Sequence, residues 1–168
     1  MTRLLAALVV LLVCTAGVPA QNYPSKTVRI SVGYPPGGSI DVVARLLANE
    51  FSKSMGQQFV VENRSGAAGT ISAHQVAMAP PDGYTLLVGA AAQISSAPSN
   101  FKKLPYDPQR DLTPIMLIAH QPNILIVHPS VPVRNAKEFI ARAKANPGKF
   151  TYGSSGIGAT QHMSAELF

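Results

Sequence analysis

Apolar and polar residues alternate along residues 26–33, which is the pattern of a β-strand with one buried face. Residues 39–55 instead repeat apolar side chains at helical spacing, and Gly56 follows as a residue suited to end a helix. The pattern predicts two more strands, over 58–62 and 84–88, with a short helix over 70–79 between them. Strands that alternate with helices in this way favour an α/β fold with a parallel sheet.

The pattern beyond residue 97 is less regular. Residues 98–111 form a polar, proline-bearing connector, and the two apolar runs within 112–129 predict either two strands or one long strand that passes between domains. Asn135 and Glu138 have the spacing of a capping box, so a helix is predicted over 136–146. A short strand over 150–153 and a helix after residue 158 follow. No helix-ending signal precedes Phe168, and we therefore expect the chain to be part of a longer protein.

The junctions that follow the predicted strands are made of very small residues. These bare loops fall near 36–39, 66–69, 89–92 and 153–158. Right-handed crossovers place the first three at one edge of a parallel sheet, where open α/β sheets bind ligands. A helix N-terminus offers free N–H groups, and glycine allows an anion to approach them. One such loop is as consistent with simple packing, but their repetition predicts a site for a carboxylate or a phosphate.

The N-terminus predicts export. The apolar run Leu4–Val13 follows Arg3, and Val18 and Ala20 are small residues before Gln21, so residues 1–20 read as a signal peptide. Its removal takes away Arg3 and the single cysteine, which lowers the net charge from +6 to +5. A mature chain without cysteine has no disulfides and relies on its core, which suits a bacterial periplasm.

Several function classes are disfavoured by the residues themselves. The positive charges are scattered, so no stretch is basic enough to predict nucleic-acid binding. No loop has the lysine of a nucleotide-binding P-loop, and Gln161 stands where a dinucleotide fingerprint after Gly156 needs its last glycine. Ser155 lies outside a G-x-S-x-G motif, and the four histidines lack metal-ligand spacing. We expect no catalytic group, metal or cofactor.

Asp41 falls in the first turn of the first predicted helix. A carboxylate there compensates the helix dipole and holds the preceding loop, which is a simpler explanation than direct contact with a ligand. Both roles remain open at this stage.

Three long segments carry a resemblance to a known family. YPPGGSIDVVAR (34–45), VVENRSGAAGTISAHQVAMAPPDGYTLLVG (60–89) and ANPGKFTYGSSGIGATQHMSAELF (145–168) resemble the tripartite tricarboxylate transporter substrate-binding proteins, the Bug/TctC family. The resemblance implies a type II periplasmic-binding-protein-like fold with two α/β lobes and a ligand cleft between them. Residues 21–119 would belong to lobe 1, and 120–168 would begin a second lobe that is incomplete in this chain.

The resemblance also implies a function. The chain would be a monomeric periplasmic receptor, not an enzyme, that captures a small carboxylate such as a tricarboxylate or dicarboxylate through backbone amides and bridging waters. It would use no cofactor and deliver the ligand to the membrane permease of a tripartite tricarboxylate transporter. A secreted α/β enzyme acting on an anionic small molecule, and a non-functional fragment of the receptor, remain the alternatives.

Carried onto this sequence, the family's ligand-binding positions fall in the bare loops. Family members more often have glycine where Ala68 stands. The implied ligand-binding residues are Pro36, Gly37, Gly38, Ser39 and Asp41 in the first loop, Ala67, Ala68 and Gly69 in the second, Ala91 and Ala92 in the third, and Gly153, Ser154, Ser155 and Gly156 in the fourth.

Overall fold

A computed structural model describes residues 23–168, so the signal peptide predicted over residues 1–20 lies outside the described residues. The strands are β1 (Val28–Val32), β2 (Phe59–Asn63) and β3 (Thr85–Val88). The helices are α1 (Ser39–Met55), α2 (Thr70–Ala77), α3 (Ala97–Asn100), α4 (Ala136–Ala145) and α5 (Thr160–Leu167). A 3₁₀ turn over Ala67–Gly69 precedes α2, and a π-helical turn over Ala92–Ser96 precedes α3. Within this described range, no helix is both long and apolar enough to cross a bilayer.

The three strands form a parallel sheet in the order β2-β1-β3, with α1 and α2 in the two crossovers. In the middle of β1, Ile30 is in register with Val61 of β2 and Leu86 of β3. The predicted α/β class, the parallel sheet and these three strands are confirmed, each within two residues of its predicted bounds. The ends of β1 and β2 therefore lie at one edge of the sheet, beside the loops that follow them.

The core lies between β1 and α1. Val28, Ile30 and Val32 are buried in the central strand, and Ala44 and Ala48 pack on them from the helix. These small helix residues allow α1 to approach the sheet closely. The helix ends at Gly56, whose φ of 70° is the left-handed conformation that glycine adopts most easily. The helical period of 39–55 and its glycine end were both readable from the sequence.

The strands predicted within 112–129 are wrong for this structure. The segment forms no strand, and Ile115 and Ile126 are 77% and 83% exposed. A strand exists through hydrogen bonds to a neighbouring strand, and none of residues 23–168 pairs with this run. The strand predicted over 150–153 is likewise not formed, for the same reason. The division into lobes near residue 120 stays a prediction.

The helical segment over 92–100 was missed by the pattern, which predicts a loop and a connector there. Its alanines and serines show no strong periodicity. The cap at Asn135, in contrast, is confirmed, because its Oδ1 accepts the N–H of Glu138 at 3.0 Å. The reciprocal bond differs from a capping box: Glu138 Oε2 accepts the N–H of Arg134, one residue before the cap, at 2.8 Å.

Candidate ligand-binding site

A cavity of about 320 Å³ opens at the carboxyl edge of the sheet. Its walls come from the residues that follow β1, the residues that follow β2, one residue after α3 and the loop before α5. None of the lining residues carries a charge, so polar recognition in this cavity depends on backbone groups and hydroxyls. The lining residues are Gly33, Tyr34, Pro35, Ser65, Gly66, Ala67, Ala68, Gly69, Phe101, Ser155, Gly156 and Ile157.

One wall of the cavity is a backbone turn over residues 66–69, here called the left-handed turn. All four residues have positive φ: 134° at Gly66, 46° at Ala67, 53° at Ala68 and 88° at Gly69. The left-handed region costs an alanine roughly 1–2 kcal/mol relative to the right-handed one. Two consecutive alanines adopt it here, and such a conformation persists only where the surrounding contacts enforce it.

The hydrogen bonds of the left-handed turn divide sharply between acceptors and donors. Every carbonyl is bonded: that of Gly66 to the N–H of Gly69 (2.8 Å), that of Ala67 to the Thr70 hydroxyl (2.9 Å), that of Ala68 to the Tyr34 hydroxyl (3.3 Å) and that of Gly69 to Nε2 of Gln93 (2.9 Å). The N–H groups of Ala67 and Ala68 have no acceptor among residues 23–168. Both residues line the cavity, and the carbonyls of the turn are occupied while these two donors have no partner among residues 23–168, which suits an anion.

Asp41 organises the first loop. Its side chain is almost fully buried, and Oδ2 accepts the N–H of Gly37 at 2.8 Å and Nε of Arg45 at 2.9 Å. Oδ1 accepts Nδ2 of Asn63, at the end of β2, at 2.8 Å. The Arg45 guanidinium first, and then the Gly37 and Asn63 donors, hold the pKa of Asp41 well below its usual range. This geometry is that of an ionised carboxylate holding a loop, the simpler of its two predicted roles.

The other predicted residues of the first loop, 36–39, lie outside the cavity lining. The Gly37 N–H already donates to Asp41, and the Ser39 hydroxyl donates to Oε1 of Gln121 at 2.9 Å. The N–H groups of Ser39 and Ile40, in the first turn of α1, have no acceptor within the described chain. A ligand role for this loop therefore stays a prediction that rests on those two amides.

The second and fourth loops come together at the cavity. Ser155 and Gly156 line it, and a Cβ added to Gly156 would lie 3.3 Å from Cβ of Ala68. Gly153 and Ser154 are outside the lining, as are Ala91 and Ala92 of the third loop.

Ala92 has a packing role instead. It is buried in a small cluster with Ala68 and Ala159. Through that cluster, Ala92 of the third loop packs with Ala68 of the left-handed turn and with Ala159 at the start of α5.

Comparison with known proteins places this arrangement in a family. The sequence pattern of the tripartite tricarboxylate transporter family receptor, TctC, matches residues 43–168. The chain belongs to this family. It is 37% identical over 173 residues to protein BugT of Bordetella pertussis, an alignment that covers 100% of this chain and 53% of BugT. A protein of Cupriavidus necator encoded in the gbd 5′ region is 40% identical over 155 residues, with 90% of this chain and 47% of that protein covered.

Solved structures of TctC-type relatives have the same fold. A protein of R. palustris solved with adipate superposes with a TM-score of 0.84 and 39% identity, covering 86% of this chain and 48% of that one. MatC from Rhodopseudomonas palustris, solved with bound malate, gives a TM-score of 0.80 and 35% identity over 86% and 49% of the two chains. This TctC chain spans about half the length of these relatives, and its fold is that of the periplasmic binding proteins.

Several residues that line or shape the cavity were not predicted. Tyr34 and Pro35 line the cavity and directly precede the first bare loop, so their position in the sequence is the signal that could have identified them. Phe101 and Ile157 reach the cavity only through the path of the chain, which no local pattern reveals. Gln93 shapes the left-handed turn from outside the lining, and a polar residue within a weak helical pattern gives no signal of burial. Among residues 23–168, no cluster of three potential metal ligands occurs.

Proposed function

We propose that this chain is part of an exported receptor that captures a small carboxylate in the cavity beside the left-handed turn and delivers it to the permease of a tripartite tricarboxylate transporter. The observation that carries the proposal is that Ala67 and Ala68, whose N–H groups have no acceptor among residues 23–168, line a cavity without a charged side chain. Such a wall attracts negative charge without placing a fixed counter-charge beside it.

The energetics favour an anion. A hydrogen bond to a charged group contributes roughly 1.5–3 kcal/mol, about twice the contribution of a neutral one. Helix α2 begins at Thr70, directly after the turn, and its N-terminus adds a partial positive charge in the same place. Both effects act on a carboxylate and are much weaker for a neutral amide of the same shape.

The proposed ligand class also agrees with the relatives. One solved relative has adipate and another has malate, and both are small dicarboxylates. The cavity of about 320 Å³ lies at the small end of ligand pockets, which suits acids of this size. No observation favours the alternative of a secreted enzyme, because no acidic or basic side chain lines the cavity.

The test is calorimetric titration of the full-length receptor with adipate and malate, and with the corresponding diamides. We expect at least one of the two acids to bind, and its diamide to bind at least about tenfold more weakly, since each charge-assisted hydrogen bond becomes a neutral one. Equal affinity for an acid and its diamide would refute recognition of the carboxylate.

A pair of glycine variants locates the site. Gly156 and Gly148 both have positive φ, 127° and 74°, so alanine strains the backbone at each. A Cβ at Gly156 would press on Ala68, whereas a Cβ at Gly148 would meet nothing within 4 Å. We expect Gly156→Ala to weaken binding of the dicarboxylate and Gly148→Ala to leave it unchanged. The same affinity in both variants would place the ligand elsewhere.

A further inference from the structure

Gln93 is a polar side chain buried in the position of a core residue. It is fully inaccessible to solvent, and both ends of its amide are used: Nε2 donates to the carbonyl of Gly69 at 2.9 Å, and Oε1 accepts the N–H of Ala90 at 2.7 Å. Burying an amide is costly unless it is fully bonded, and an apolar side chain would fill the same space without that requirement. The structural contribution of the amide is therefore its pair of hydrogen bonds, to Gly69 and from Ala90.

The surrounding backbone is built closely around this amide. A Cβ added to Gly33, directly after β1, would lie 2.6 Å from Nε2 of Gln93, and a Cβ added to Gly69 would lie 2.6 Å from the same atom. Two glycines thus leave a slot between the end of the central strand and the left-handed turn, and the amide fills it. Tyr106 fixes the other side of the residue, because its hydroxyl donates to the Gln93 carbonyl at 2.7 Å.

The bond to Gly69 acts on a conformation that needs support. Ala67 and Ala68 lie in the left-handed region, which alanine avoids, and the carbonyl of Gly69 closes the end of that turn. Two other side chains bond the turn, Thr70 next to it in sequence and Tyr34 at the longer distance of 3.3 Å. Gln93 alone of the three joins the turn to the loop after β3, through Ala90.

We propose that Gln93 is a positioning residue that holds the left-handed turn in shape and so presents the N–H groups of Ala67 and Ala68 to the ligand carboxylate. The proposal rests on the proposed function for the identity of the ligand. It adds that affinity is set by a side chain that does not line the cavity, and that the second and third loops move as one unit because a single amide bonds both of them.

The experiment uses Gln93→Met in the full-length receptor, since methionine keeps the chain length and removes both hydrogen bonds. The matched control is Ser72→Ala, which deletes a buried hydrogen bond of 2.9 Å to Ser31 that does not involve the turn. Two quantities are measured: the affinity for adipate and malate by calorimetry, and the φ-dependent three-bond couplings of the Ala67 and Ala68 amides by NMR in the ligand-free protein.

We expect Gln93→Met to weaken binding of the dicarboxylate by roughly tenfold or more and to shift both couplings, because the amides leave their fixed positions. Ser72→Ala should lower the thermal stability and leave affinity and couplings as in the parent. Tyr34→Phe is a milder second variant if Gln93→Met does not fold. It removes one bond to the turn and should shift the Ala68 coupling with a smaller loss of affinity.

Unchanged couplings and affinity in a folded Gln93→Met variant would overturn the proposal, as would equal losses of affinity in Gln93→Met and Ser72→Ala. A parent protein that binds neither acid, while Gln93→Met still shifts the couplings of Ala67 and Ala68, would refute the proposed function and leave the structural role of Gln93 standing. The coupling measurement therefore separates the two failures.

Discussion

Replacing Gly33 by alanine tests the contact between β1 and the left-handed turn. The added Cβ would lie 2.6 Å from Cα of Gly69, 2.9 Å from its carbonyl oxygen and 2.6 Å from Nε2 of Gln93. Ordinary contact begins near 3.4 Å, so the two atoms at 2.6 Å must retreat by about 0.8 Å and the carbonyl oxygen by about 0.5 Å. Two of the three atoms are backbone, and the third belongs to a buried side chain that is hydrogen-bonded at both ends of its amide, so no neighbour moves freely.

The size of the effect follows from two opposing contributions. Overpacking by one carbon in a tight site costs typically about 1–3 kcal/mol. Alanine also restricts the unfolded chain, which returns roughly 0.4–1 kcal/mol. The net expectation for Gly33→Ala is a loss of about 1–2 kcal/mol in the free energy of unfolding. For a domain of 150–250 residues that corresponds to roughly 2–8 °C in melting temperature.

The assay is denaturant unfolding together with calorimetric titration of adipate or malate, with Gly38→Ala as the matched control. Gly38 lies in the first bare loop and serves as a control for stability only; its φ is −70°, and the nearest neighbouring atom to its added Cβ would be the Pro35 carbonyl oxygen at 3.4 Å. Alanine caps a helix less well than glycine, which costs roughly 1 kcal/mol, but it also restricts the unfolded chain, which stabilises the protein by a similar amount. The control should therefore stay within about 0.5 kcal/mol of the parent. Equal stability of the two variants would refute the packing argument.

Four further predictions concern other parts of the protein. Because the pKa of Asp41 is lowered on folding, its contribution to stability is present above about pH 4 and is lost as the pH falls further; acid titration of stability should be flatter in Asp41→Asn. Asn135→Ala should cost about 1 kcal/mol of unfolding free energy, measured against Lys137→Ala in the same helix. Gly38→Val should fold normally and weaken dicarboxylate binding roughly tenfold to a hundredfold, measured by calorimetry, and unchanged affinity would show that the first loop is only a packing turn. N-terminal sequencing of the exported protein should begin near Gln21.

The parts of the fold that the sequence predicts are those decided within a few residues. Strand β1 and helix α1 follow from their own periodicity. Gly56 predicts where α1 ends and Asn135 predicts where α4 begins, because capping depends on local geometry. The parallel sheet then follows from the alternation of strands and helices, whereas the order β2-β1-β3 comes from the structure alone. These predictions needed no knowledge of distant contacts.

The failures occur where a distant partner decides the structure. The apolar run 112–129 has the composition of strands, yet it pairs with no other part of residues 23–168 and remains exposed. Gln93 shows the same dependence on distant contacts. No local pattern marks this glutamine for burial, whereas the slot made by Gly33 and Gly69 buries it completely. In both cases the decisive contacts lie outside the local window.

The candidate site was predicted only in part, and the reason is physical. A site made of backbone N–H groups is visible in sequence as a lack of side chains, which is why the glycine and alanine of residues 66–69 signalled it. The sequence does not show whether the N–H groups of a bare loop are already hydrogen-bonded within the protein. The N–H of Gly37 is an example, because it donates to Asp41. Whether such N–H groups are already bonded depends on the surrounding side chains that bond the loop. At the left-handed turn those side chains occupy the carbonyls, whereas the N–H groups of Ala67 and Ala68 have no acceptor among residues 23–168, so the anion site that we propose depends on the turn and its neighbours together.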